Sequence, residues 1–301
     1  MSAGAPAVAG GGRTRALDGA IAIAGFALAE SLRRRVFLVV LALTVAFLAL
    51  YALGAGYAFD EVERLGLVGG DLVDERTVVG STLFGLAIFG TLFLGAVLAI
   101  FLTIGLVRGD AETGLLQPLV VRPIGRGTML VARYAGAAGA AAAYVIAVYA
   151  AALVITVALG DWSPDHAILP ALALAGAVAI IAAISVLASV FLSSTAQGIA
   201  VFMVFGAGLV AGLLGQIGEA LGSQTLDRIA TWMTVALPFE ALYQGALYLL
   251  TAETGGLTAR LVALGPFGGA QEIGAGAALW ALAYAAVVVA LAVAAFARRD
   301  L

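Results

Sequence analysis

Six apolar stretches dominate the chain: residues 36–57, 78–107, 129–160, 167–192, 198–218 and 274–297. A hydrocarbon core of about 30 Å takes roughly 20 helical residues at 1.5 Å each, and only helices and closed barrels satisfy their own backbone within it. Each stretch is long enough, so the expected fold is an all-α integral membrane protein with about six transmembrane helices. Composition agrees: 63% of the 301 residues are apolar and 11% are charged, where a soluble domain has about half and a quarter. The remaining segments are too short for a soluble catalytic domain of ordinary size, which is therefore expected on another chain.

The parts outside these stretches have their own patterns. Residues 1–16, with Pro6 and Gly10, Gly11 and Gly12, read as a flexible cytoplasmic tail. In residues 17–35, Leu17, Ile21, Leu28 and Leu32 share one helical arc while Asp18, Glu30, Arg33 and Arg34 lie off it, the pattern of an amphipathic helix in the membrane interface. Residues 36–301 then form a single transmembrane domain. Its second and third stretches, about 30 residues each, outrun the hydrocarbon and must tilt or project. Residues 219–273 are of mixed polarity, with Phe239, Leu242, Ala246 and Leu249 at helical spacing, and are expected to form short outer or re-entrant helices before the last span.

Arginine sets the orientation. With the N-terminus inside, Arg13, Arg15, Arg33, Arg34, Arg35, Arg108, Arg122, Arg126, Arg133, Arg298 and Arg299 are cytoplasmic, and only Arg64, Arg76, Arg228 and Arg260 lie outside. Both termini are thus expected in the cytoplasm. The Arg34-Arg35 pair resembles an export signal, but the stretch behind it is too long and is followed by five more, so the pair reads as an anchor.

Several chemistries are excluded by what is missing. There is no Cys, no Lys and a single His, which removes disulfides, thiolate ligands, a histidine-rich metal site, Schiff bases and the Walker A lysine. Arginine without lysine, together with abundant Ala and Gly, is the codon signature of a high-GC bacterium. No stretch carries an ionisable residue in its interior, which argues against an ion-coupled carrier and an intramembrane aspartyl protease. His166 reads as a solvated loop residue, and Gly80, Gly85, Gly90 and Gly95 as close helix packing.

Residues 108–128, between the second and third stretches, are the most informative. Asp110 and Glu112 open them, Leu115, Leu116 and Leu119 give an apolar face, and Pro123 and Gly125 turn the chain between Arg122 and Arg126. A helix stopped by Pro118 on the cytoplasmic side suits a docking surface for a soluble partner.

Glu112-Thr113-Gly114-Leu115-Leu116 and Arg122-Pro123-Ile124-Gly125-Arg126 resemble the corresponding hairpin of permease subunits of type 2 ATP-binding-cassette exporters, in the six-span branch that includes copper-enzyme maturation permeases. Thr-Gly here replaces the family's Gly-Thr, and Arg133 stands where lysine is common. Glu30 to Arg35, Leu237-Pro238-Phe239-Glu240-Ala241-Leu242-Tyr243 and the Phe296 to Arg299 ending extend the resemblance over nearly the whole chain. It implies that Asp110, Glu112, Thr113, Gly114, Leu115, Leu116, Arg122, Pro123 and Arg126 form the hairpin that couples to an ATPase, and that the turn with Ser193, Ser194 and Gln197 is a second, smaller cytoplasmic contact. It further implies a nucleotide-binding ATPase subunit that carries ATP and Mg²⁺, a second permease subunit, identical or not, and a location in the bacterial plasma membrane. No cofactor or metal is expected on this chain, and no nucleic-acid partner. A membrane scaffold or assembly factor that does not transport remains the alternative.

Overall fold

The computed structural model describes residues 35–65, 73–106, 126–267 and 270–298. The expected tail at 1–16, the expected interfacial helix at 17–35, apart from Arg35, and residues 108–125 of the expected hairpin lie outside them. The described residues form nine helices and no strand: α1 (Arg35–Leu65), α2 (Glu75–Thr103), α3 (Arg126–Gly160), α4 (Leu169–Phe191), α5 (Ser194–Leu221), α6 (Gln224–Ala236), α7 (Pro238–Tyr248), α8 (Gly256–Ala263) and α9 (Ala275–Ala297). Six of them, α1 to α5 and α9, are long and apolar enough to cross a membrane.

Two of the six make the centre. Buried residues account for 67% of the apolar window of α2 and 61% of that of α4, against 22% or 28% for the other four. Around them α3 packs on both, α9 lies against α4 and α3, and α1 leans on α2 and α3. The outer faces of the ring are large apolar side chains such as Leu50, Leu53, Met203 and Leu282, all well exposed. Lipid rather than water is the solvent in which such faces cost nothing.

Glycine explains how α2 sits so deep. Gly80, Gly85, Gly90 and Gly95 are five residues apart, and five steps of 100° advance the direction by 140°, so each faces a different neighbour. Gly80 receives Trp162, Gly85 receives Phe267, Gly90 receives Phe47, and Gly95 receives Val145 and Val178. A Cβ at any of the four would overlap its partner. Hydroxyls add directional links: Thr44 bonds Tyr144 and Tyr51 bonds Thr156, both at 2.5 Å, joining α1 to α3. Such interhelical bonds contribute about 1 kcal/mol each in a bilayer.

The helices do not stop where the apolar stretches stop. α1 continues through Asp60, Glu61, Glu63 and Arg64, because Phe59, buried against Gly160, still holds it to α3. α2 begins three residues ahead of its stretch, capped by Asp74, whose carboxylate accepts from the Thr77 amide at 3.2 Å and the Thr77 hydroxyl at 2.6 Å. Asp161, at φ 48°, turns the chain out of α3.

The bundle has two distinct ends. At one, which we call the cap end, α8 and the chain that follows α7 meet the helix termini: the Asp74 amide donates to the Thr258 hydroxyl of α8 at 2.9 Å, and the Asp165 amide donates to Leu250 O at 3.1 Å. At the other, the hairpin end, the described chain breaks at Leu106 and resumes at Arg126, and α4 turns into α5.

Candidate functional site

Polar side chains are buried at both ends. At the hairpin end the turn from α4 to α5 is short, which brings Gln197, on the first turn of α5, beneath the end of α2. Gln197 is fully buried. Its amide nitrogen donates to Thr103 O, Ser185 O and the Ser185 hydroxyl, each at 3.0 Å, and its oxygen accepts from the Gly105 amide at 3.2 Å. The Thr103 hydroxyl completes the knot by donating to Ser185 at 2.7 Å. One side chain thus ties α2, α4 and α5 together, adding a bond to the Thr103 carbonyl, which also accepts from the Leu106 amide at 3.4 Å, and accepting from the Gly105 amide just beyond the end of α2. Next to it, Arg133 of α3 donates to Leu106 O at 2.9 Å, where the chain leaves for residues 107–125.

The expected site residues fall into three groups. Asp110, Glu112, Thr113, Gly114, Leu115, Leu116, Arg122 and Pro123 lie outside the described residues, and Arg126 opens α3. Ser193 is exposed and Ser194 half-buried, so both present themselves at the surface of the turn. Gln197 does not: its amide is spent inside the fold, and the outward part of the turn is Ser193, Ser194 and Thr195.

The cap end holds a polar group that hydropathy did not reveal. Pro238 starts α7 directly after α6, and α7 packs against α4, α5 and α9. Two glycines four apart on α5 make this possible. Gly208 leaves room for the Phe239 ring, which stacks on Phe205 at 5.8 Å, and Gly212 leaves room for the Glu240 carboxyl. Glu240 is only 2% exposed. Its Oε1 accepts from Gln244 Nε2 at 2.7 Å, and Gln244 Oε1 in turn accepts from Gln216 Nε2 at 3.3 Å, while Glu240 Oε2 has no hydrogen-bond partner. Burial pushes this carboxyl up to about 8, against the opposing pull of the Gln244 bond. The Tyr243 phenol one turn on is raised too, by burial first and then by the Glu240 charge.

Glu240 lines a cavity of about 450 Å³ bounded by α5, α6, α7 and the segment before α9. Gln216, Thr234, Gln244, Gln271 and Glu272 also face it, with Ala211, Val235 and Ile273 as apolar wall. Elsewhere on the cap, His166 stands 3.9 Å from Glu253; the imidazole is half-buried and the carboxylate largely exposed. No group of three His, Asp or Glu among the described residues is placed to hold a metal ion.

The arrangement is therefore a lipid-facing ring of six candidate spans, a hydrogen-bonded knot at one end and an acidic cavity under a helical cap at the other. No curated protein matches the chain in sequence. A family model described as an ABC-2 family transporter protein matches residues 21–301, nearly the whole chain, and the protein belongs to that family of multi-pass membrane components of ATP-binding-cassette transporters.

Proposed function

We propose that this chain is the permease of an exporter of the six-span branch, works as a pair with a second permease subunit, and draws its energy from ATP bound with Mg²⁺ on a separate ATPase. The observation that carries the reading is the lack of any lysine in a family member of 301 residues. A phosphate loop needs that lysine against the β- and γ-phosphates, so none can form in these residues, which supports an ATPase on a separate subunit. In this reading residues 108–128 dock on the ATPase from the cytoplasm, and Ser193, Ser194 and Thr195 make the smaller contact beside them. The Gln197 knot supports it mechanically, because a push on the turn reaches α2 and α4 through one buried amide. The excess of arginine on the hairpin side supports a cytoplasmic location for that end and for both termini, in the plasma membrane of a bacterium.

Affinity purification of the chain from native membranes in mild detergent tests this reading. A Walker-A-bearing subunit in stoichiometric yield, with Mg²⁺-dependent ATP turnover in the complex and none in the isolated chain, is the expected result. Hydrolysis by the isolated chain, or recovery without any such subunit, would overturn it.

A further inference from the structure

We propose that the cavity under α7 is a binding site for a small organic cation carrying a protonated amine, with the Glu240 carboxylate as its counter-charge. At about 450 Å³ it lies within the range of small-molecule sites. Among the described residues no basic side chain lines it, while two carboxyls, Glu240 and Glu272, do. The amides run donor to acceptor from Gln216 to Gln244 to Glu240 and end on a carboxyl whose second oxygen has no partner. A buried acceptor left open costs about 1 to 3 kcal/mol, and more if charged. Oε2 is shielded in the observed rotamer, so a turn of the Glu240 side chain toward the cavity that it lines brings it to a ligand N–H⁺, which supplies both a proton donor and a compensating charge.

A bare metal ion fits less well. Calcium or magnesium needs several oxygens converging within about 2.6 Å, and the described residues offer no triad of His, Asp or Glu. The apolar wall of Ala211, Val235 and Ile273 instead suits the body of an amine-bearing molecule.

Proton competition follows. With its carboxyl pushed up to about 8, Glu240 is protonated at neutral pH in the empty site, and a bound cation must displace that proton. The titratable groups that share its surroundings are few. Tyr243 lies on α7 itself, and Glu272 faces the cavity from the segment before α9. α4 carries no titratable residue, and neither does α5 over residues 194–218. Arg228 of α6, Glu75 and Arg76 of α2 and Tyr284 of α9 do not line the cavity. Binding requires neither ATP nor a partner, so this proposal stands apart from the transport reading.

The test is equilibrium binding of dansylcadaverine, a fluorescent primary amine, to the full chain in phosphatidylcholine nanodiscs, with its neutral N-acetyl derivative as control. Saturable binding of the amine is expected, and none of the acetylated probe. Glu240→Gln keeps the size and is expected to weaken binding by about tenfold or more, the scale of a lost charged hydrogen bond. Should that variant fail to fold, the wild type alone decides: its affinity is expected to rise about tenfold per pH unit between pH 6 and 8 and to level off above. No saturable binding, equal binding of both probes, an unaffected folded Glu240→Gln, or an affinity flat from pH 6 to 8 would each overturn the proposal.

Discussion

The Glu240 carboxyl occupies the space that a side chain at Gly212 would need: its Oε1 lies where a Cβ on residue 212 would be built, with Gln244 Nε2 at 2.8 Å behind it. Gly212→Ala therefore must displace two bonded polar groups in a packed interface, and overpacking of this kind costs about 1 to 3 kcal/mol. Gly206, six residues earlier on the same helix, has nothing within 4 Å of its Cβ position. Gly206→Ala is expected to be neutral or stabilising by up to about 1 kcal/mol, the helix-propensity difference. Thermal unfolding of both variants in one detergent checks the contrast, and equal effects would count against the α5–α7 contact.

Stability should also depend on pH through Glu240. Its folded value, about 8, lies above the ordinary 4.5, so between these the folded state holds a proton that the unfolded state releases. Stability is then greatest below about pH 4.5 and falls as pH rises to 8, at no more than about 1.4 kcal/mol per unit from this group. Comparing melting temperatures of wild type and Glu240→Gln at pH 5, 6, 7 and 8 isolates the term. The difference between them should shrink in favour of the variant as pH rises; parallel curves would mean that the carboxyl does not titrate in this range.

Gln197 predicts a different outcome from the solvent-facing residues beside it. Gln197→Ala removes the acceptor of the Gly105 amide and takes one bond each from Thr103 O, Ser185 O and the Ser185 hydroxyl inside the bundle. A loss of about 1 to 3 kcal/mol is expected. Ser193→Ala, at an exposed position, should stay within about 0.5 kcal/mol. Chemical or thermal denaturation in detergent separates the two, and a Gln197→Ala variant as stable as Ser193→Ala would show that the knot is not formed in solution.

The spans were legible because the cost of unpaired backbone in lipid is so large that hydropathy alone selects them. Their ends were less so. Asp60, Glu61 and Glu63 lie beyond the first apolar stretch, yet α1 runs on through them, since what holds that turn is Phe59 against Gly160, about one hundred residues away in sequence. Glycines at five-residue spacing on α2 announced close packing but not the four partners, which depend on the tertiary arrangement. Glu240 stood out only as a letter of the Leu237 to Tyr243 resemblance, and its burial was not legible for a related reason: it sits in a short helix of mixed polarity, outside every apolar stretch. The available signal was Leu237-Pro238 starting a helix, with Gly208 and Gly212 offering a smooth face one turn apart. Gln197 looked like part of a polar turn, and only the fold shows that its amide points inward.

Orientation is open to a labelling experiment that the absence of cysteine makes simple. Ser193 lies at the hairpin end and Glu253 at the cap end, both outside the packed core. The arginine distribution places the first inside and the second outside. In intact cells a membrane-impermeant maleimide should modify Glu253→Cys, and reach Ser193→Cys only after permeabilisation. Labelling of both from one side would contradict the six-span arrangement, and the reverse pattern would invert it.

The proposed coupling role of residues 108–128 rests on charge and position in the sequence, and Glu112 is the residue to test. It stands beside Leu115 and Leu116, which together offer a partner an acidic and an apolar contact. It also lies between two spans rather than within one, so reversing its charge should not disturb insertion. A reversed charge against a complementary surface costs several kcal/mol of binding, whereas a solvated one changes stability by less than about 0.5 kcal/mol. Glu112→Arg is therefore expected to accumulate in the membrane like wild type, with the same melting temperature, while losing the ATPase subunit on co-purification and its transport-linked turnover. Reduced expression together with lost recovery would point to a folding defect, which the melting temperature detects. Unchanged recovery and turnover at equal expression would make the segment a connector and remove it as the docking site.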